Sequence, residues 1–297
     1  MKVFCSDRFT IPLPRQHKFP IEKYRMLKNV VRNDKKFKLI EGPPVALDLL
    51  KSVHDPDYVD RVLKGRLSAF EIRELGFPWS PDLVTRSLFS VGSTLSAVKS
   101  AIEEKSSCTL AGGTHHSAYS RGYGFCVFND IAVACYVARK THPGIRITVI
   151  DTDVHQGDGT AMMMLRNPDV TTFSLHANSN FPPEKRCSDF DIFLPNNVDD
   201  FEYLAIFESG LCDILGTRKP DLIIFVSGAD IFKEDRLGRL SISKKGIQLR
   251  DQILFKHAGK VGAKVATLMA GGYSCNLEDI VDIHFSTVKT AYEYWCS

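Results

Sequence analysis

From residue 82 onwards the chain alternates between two hydrophobic periods. In SPDLVTRSLFSVGSTLSAVKSAIEEK (80–105) apolar residues recur every three or four positions, which predicts a helix opened by Ser80 and Pro81. The same period predicts helices in FNDIAVACYVARK (128–140), GTAMMMLRN (159–167), YLAIFESGLCDILGTRK (203–219), SKKGIQLRDQILFKHAGKVG (243–262) and LEDIVDIHFSTVKTAYEYWC (277–296). Between them lie short apolar, β-branched runs that read as strands: SCTLAGG (107–113), IRITVIDTD (145–153), VTTFSLHA (170–177), DLIIFVSGAD (221–230) and KVATLMAGGYS (264–274). Strands apolar on both faces and alternating with helices predict an α/β fold, a mostly parallel sheet covered by helices on both sides.

The first 80 residues are less regular. IEKYRMLKNVVR (21–32) and DPDYVDRVLKG (55–65) predict short helices, the second capped by Asp55 with Pro56 in its first turn, while FTIPLPRQHKFP (9–20) reads as a loop. No repeat or Gly/Ser/Pro-rich linker divides the chain, so one domain over 1–297 is expected.

Composition changes this picture little. A hydrophobic share of 44% and a charged share of 25% are those of an ordinary globular protein, and a net charge of +3 is too small to imply a search for nucleic acid. The basic run KNVVRNDKKFK (28–38) reads as a solvated face. MKVFCSDRF lacks an apolar signal core and no segment reaches the roughly 18 apolar residues of a membrane span, so the expectation is a cytoplasmic protein, or also a nuclear one in a eukaryotic cell. Eight cysteines without a CxxC pair argue for reduced thiols rather than a zinc ribbon or a redox dithiol.

The candidate chemistry gathers where predicted strands end. His115 and His116 follow TLAGG; Asp151, Asp153 and His155 close ITVI; His176 follows TFSL; Asp230 follows IIFVSGA; Tyr273 follows ATLMAGG. In parallel sheets ligand sites form outside the carboxyl ends of strands, so residues far apart in sequence can share one cleft. Alternation alone would send Asp151, Asp153 and His155 to one point, where buried carboxylates need neutralising. Asp153, His155 and Asp230 offer two carboxylates and an imidazole with a position left over, a donor set suited to catalytic Zn²⁺ and also to Fe²⁺. Beside a metal, His115 and His116 could stabilise charge and shuttle protons if carboxylates such as Asp151 and Asp158 fix their tautomers.

Taken together, AGGTHHSAYSRGYGFCVFNDIAVA, VIDTDVHQGDGT, SGADIFKEDRLGRLSIS and AGGYS resemble the histone deacetylase family, of arginase/deacetylase fold. The compact length and GADIFKEDRLGRLSISKKGIQLRD look most like class IV, the histone deacetylase 11-like branch. The resemblance runs from about residue 52 to the end of the chain, and more loosely through His17 and Lys18. It implies zinc-dependent hydrolysis of N-acyl-lysine, with Asp153, His155 and Asp230 as ligands, His115 paired with Asp151, His116 with Asp158, and Tyr273 binding the substrate carbonyl. It implies Gly124, Phe125 and Phe181 as walls of an acyl-lysine tunnel. It also implies a structural K⁺ held by backbone oxygens near Asp151, Asp153 and His155, with Ser174 and Leu175. Asp151 thereby becomes the partner of a histidine rather than a ligand. His116 is the expected general base and then acid, with His115 as its stabilising neighbour. Resemblance to class IV raises a second substrate class, long fatty acyl groups preferred over acetyl. One departure is Thr114, where many relatives carry an aromatic residue.

Three rivals stand beside this reading. A binuclear ureohydrolase needs a further carboxylate two positions after Asp230, where this chain has Phe232. A deacetylase of acetylpolyamines or another small amide would share the zinc chemistry and differ at the rim. A non-catalytic acyl-lysine reader would keep the pocket without turnover. The partner expected is an acyl-lysine protein or peptide, with no nucleic acid or membrane.

Overall fold

The computed structural model describes residues 1–6 and 10–297; Phe9, the first residue of the expected loop 9–20, lies outside them. The elements in chain order are β1 (Lys2–Cys5), α1 (Glu22–Asn33), β2 (Lys38–Glu41), α2 (Leu47–Lys51), α3 (Pro56–Leu63), α4 (Ala69–Leu75), α5 (Pro81–Glu104) and β3 (Ser106–Thr109). They continue as α6 (Asp130–Thr141), β4 (Ile147–Asp151), α7 (Asp158–Met164), β5 (Val170–Ala177), β6 (Phe190–Leu194), α8 (Asp200–Thr217), β7 (Leu222–Ser227), α9 (Lys244–Val261), β8 (Lys264–Met269) and α10 (Leu277–Cys296).

The strands form one eight-stranded sheet in the order β2-β1-β3-β8-β7-β4-β5-β6, every pair parallel. Its two faces are separate cores. Ile223, Phe225 and Val265 point to a cluster with Phe207 and Leu211 of α8, Leu254 of α9 and Ile283 of α10. Their sequence neighbours Leu222, Ile224, Val226 and Ala266 point the other way, against Val98 of α5 and Ile131 and Cys135 of α6. This two-sided burial is why the central strands are apolar at every position.

Helix ends follow their caps. Ser80 accepts from the N–H of Leu83 with Pro81 in the first turn, Asp55 accepts from Asp57 N–H, and Ser243 accepts from Gly246 N–H. Gly262 ends α9 in the left-handed region at φ 73°. The basic run 28–38 covers the outer face of α1 and the turn into β2, with only Val31 and Phe37 buried.

Three strands escape the hydrophobic pattern. β2 and β6 are edge strands that bury none and one of their residues, so they lack an unbroken apolar run, and β2 carries charge at both ends as an edge strand should; β1 is four residues long at the start of the chain. The strand expected over 107–113 stops at Thr109. Gly112 and Gly113 then turn the chain with φ of 94° and 65°, and a Cβ on Gly112 would lie 2.5 Å from an Asp130 oxygen. Likewise β4 ends at Asp151, so Asp153 and His155 sit in a turn and not on a continuing strand face.

Candidate active site

Four neighbouring strands, β3, β8, β7 and β4, supply the site from their carboxyl ends. Asp153 and His155 come from the turn after β4, Asp230 from the turn after β7, and their ligand atoms all lie within 4.8 Å of one another, every residue buried. His155 Nδ1 stands 2.9 Å from Asp153 Oδ1 and 3.2 Å from Asp230 Oδ2. Backbone groups fix both carboxylates. Gly271 N–H donates to Asp153 Oδ2 at 2.8 Å and Val154 N–H to Asp230 Oδ1 at 3.0 Å.

The electrostatics of this cluster call for positive charge. Burial, reinforced by the charge of Asp153, raises the Asp230 carboxyl to about 7. Burial opposes protonation of His155, but the hydrogen bonds its ring donates to the carboxylates of Asp153 and Asp230 outweigh it and raise the imidazole to about 10. Two carboxylates and an imidazole held this close draw either protons or a cation, and as a donor set they fit a divalent ion with an open position. Among the described residues this is the one group of three or more such side chains close enough to hold a metal.

The tandem histidines are each locked by an acid. His115 Nδ1 lies 2.6 Å from Asp151 Oδ2, and His116 Nδ1 lies 2.6 Å from Asp158 Oδ1. Their fates differ. For His115 the pull of Asp151 and Asp153 overcomes the cost of burial and raises its pKa to about 9. For His116 burial dominates, the charge of His115 adds to it, and its pKa falls to about 4. With Nδ1–H given to Asp158, His116 keeps Nε2 as a free acceptor.

Tyr273 lies across the cleft, its ring centroid 6.1 Å from that of His155. Burial and the nearby charges of Asp153 and Asp230 push its phenol well above the usual range, so it remains a donor. Asp235 accepts from Tyr273 N–H at 2.6 Å and Arg236 donates to its carbonyl at 2.7 Å, which fixes the loop. The cleft, about 380 Å³, has His116, His155 and Tyr273 at its floor and Gly124, Phe125 and Phe181 on its walls. Gly124 is required there: at φ 50° an added Cβ would lie 2.8 Å from both the His116 and Phe181 rings.

One expected member does not join. His176 is fully buried, hydrogen-bonded to Ser174 Oγ at 2.9 Å and packed on Phe193, away from the cleft. Phe232 is likewise a core residue, so this position adds no carboxylate to the cluster.

Several supporting residues were not legible in the sequence. Asp130 accepts from the backbone N–H of Gly113 and Thr114 and from the hydroxyls of Thr94 and Thr114, pinning the loop before the histidines. His54 donates from Nδ1 to Ala118 O and accepts Asn129 N–H at Nε2, while Lys23 reaches the carbonyls of Ala270 and Gly272. Asn129 is the N-cap of α6, accepting from Ala132 N–H, and Asp130 is the helix's first residue.

A profile of the histone deacetylase domain matches residues 17–288. The chain is 38% identical to an uncharacterized protein of Picosynechococcus over 285 residues, 95% of each chain. It is 31% identical to histone deacetylase 2 of Arabidopsis thaliana, covering 62% of this chain and 48% of that one. It is also 31% identical to the acetoin utilization protein AcuC of Bacillus subtilis, covering 65% and 55%. The chain thus spans about half the length of these last two relatives. The crystal structure of the HDA15 HD domain superposes with a TM-score of 0.82 at 20% identity, covering 98% of this chain and 88% of that one. A histone deacetylase homologue from Aquifex aeolicus gives 0.82 at 23%, covering 99% and 82%, and both show the shared fold. No described helix is long and apolar enough to cross a membrane. A deacetylase-type hydrolase, this chain belongs to the histone deacetylase domain family.

Proposed function

We propose that the chain is one catalytic domain, 1–297, that hydrolyses N-acyl-lysine on protein or peptide substrates with the help of one divalent ion, Zn²⁺ before Fe²⁺. The observation that carries this reading is the cleft itself: aromatic walls at Phe125 and Phe181 suit an alkyl stem, and the floor joins His116, Tyr273 and His155. Asp153, His155 and Asp230 would hold the ion, which when bound polarises the acyl carbonyl and acidifies an attacking water toward a pKa of about 7.

The remaining steps belong to side chains. His116, kept neutral by burial and oriented by Asp158, takes the proton from the attacking water and returns it to the leaving amine. His115, held protonated by Asp151, stabilises negative charge beside it. Tyr273 donates a hydrogen bond to the developing oxyanion. Asp151 and Ser174 face each other in the β4/β5 register, which supports a structural K⁺ among the backbone oxygens there. We assign the chain to the class IV branch on the segment GADIFKEDRLGRLSISKKGIQLRD, in which Asp235 and Arg236 hold the Tyr273 loop.

An acetylpolyamine substrate would use the same floor. Among the described lining residues Lys18 and Arg239 stand at the rim against one acid, Glu74, a balance that disfavours a polycation. The test is a comparison of kcat/KM for acyl-lysine peptides and acetylated polyamines. Turnover confined to the polyamines would contradict the protein-substrate reading.

A further inference from the structure

The cleft does not end at its floor. It continues into an inner chamber of about 70 Å³, and the two share His116, Gly124, Phe125 and Tyr273 as walls. The chamber's own walls include Tyr24, Arg86 and Ser90. Arg86, on α5, is only 8% exposed, and its guanidinium carbon lies 4.3 Å from the centre of the Tyr24 ring. No described acidic side chain pairs with it. Asp153 is the one acid among the lining residues, and its oxygens are engaged by His155 and by the N–H of Gly271. Thr114 cannot serve the chamber as a free hydroxyl, because its Oγ1 is held at 2.6 Å by both Phe128 O and Asp130.

A guanidinium stays charged at any physiological pH, and burying it without a counter-ion is costly; one aromatic face offsets only part of that. An aliphatic chain entering the chamber would leave the charge unpaired. A carboxylate would pair with it through charge-assisted hydrogen bonds. We propose that the chamber is a carboxylate site and that the enzyme favours lysine acylated by short dicarboxylic acids, of malonyl to glutaryl length, whose free carboxylate meets Arg86. This rests on the acyl-lysine reading above and gives it a substrate class, at the expense of fatty acyl groups. Hydrolysis breaks the amide C–N bond, forms a C–O bond with water, and releases the lysine amine, which takes up a proton, and the dicarboxylate. No further reactant is needed.

The experiment measures kcat/KM for acetyl, succinyl, glutaryl, pentanoyl and myristoyl lysine in one peptide, with wild type, Arg86→Met and Arg86→Lys. Succinyl or glutaryl is expected to exceed pentanoyl by about tenfold or more in wild type, on the strength of a charge-assisted hydrogen bond. The ratio should collapse in Arg86→Met and recover in part in Arg86→Lys. Should the methionine variant not fold, the wild-type ratio and the lysine variant still decide. Pentanoyl or myristoyl turned over as well as the dicarboxylic chains by wild type overturns the proposal. Acetyl turnover in that case leaves the hydrolase reading intact, whereas no turnover of any acyl-lysine defeats both. Inhibition by free acetate or succinate that disappears in Arg86→Met, without a dicarboxylic preference, would show a site for released acid and also overturns the substrate claim.

Discussion

The centre of the sheet and its edges obey different rules. In β7 every residue is buried, and the strand ends in the Gly228–Asp230 turn that carries an ionisable group into the interior. At the edge, β2 buries none of its four residues, and β6 buries only Leu194. The edge strands close the sheet with charge and short length; the central strands act as a rigid frame that tolerates buried carboxylates because backbone N–H groups and neighbouring imidazoles satisfy them. Substitutions at the two places should therefore differ in kind, not only in size.

The largest effect is expected at His116. His116→Ala should lower kcat by about 10² to 10⁴, the usual contribution of a general acid–base group, with metal content unchanged. Rates within threefold of wild type would remove it from the proton path. Tyr273→Phe should cost about 10² to 10³ in kcat through the lost oxyanion donor, read on protein whose circular dichroism matches wild type.

Asp130→Ala tests the frame rather than the chemistry. It strands two backbone N–H groups and the Thr94 hydroxyl, while Thr114 keeps Phe128 O as an acceptor, and a loss of about 3 kcal/mol in chemical denaturation is expected. His54 should make stability depend on pH. Burial lowers its pKa below the ordinary 6.5, so below about pH 6.5 the unfolded chain takes up a proton that the folded one refuses. Stability should fall as pH drops through that window, and His54→Gln should flatten the slope; an unchanged slope contradicts the assignment. At the edge, Phe193→Ser on β6, where the ring is 49% exposed, should shift stability by no more than about 1 kcal/mol and leave turnover alone.

The same contrast explains what the sequence could reveal. Helices such as α5, α9 and α10 are long, capped and periodic, and their bounds fall within one residue of expectation. Central strands announce themselves as unbroken apolar runs, and polar residues at their ends stand out for that reason. His115 lies 2.6 Å from Asp151 and His116 2.6 Å from Asp158, pairs that no hydrophobic period could announce. What stayed hidden is set by contacts between distant segments. Asp130 looks like an acid in the first turn of α6, Lys23 like one more charge on α1, and Arg86 like a polar residue of an amphipathic helix. Only the packing of α1 and α5 against the strand-end loops gives them their surroundings. His176 misled for the opposite reason, since it shares the strand-end position of the others but turns toward β6.

The central proposal is that Asp153, His155 and Asp230, whose ligand atoms lie within 4.8 Å of one another, hold one divalent ion. The direct test is metal content by elemental analysis, with binding affinity, for wild type and Asp230→Ala. One equivalent of zinc in wild type, lost in the variant, is the predicted result; a folded variant that still holds one equivalent with unchanged affinity would contradict it.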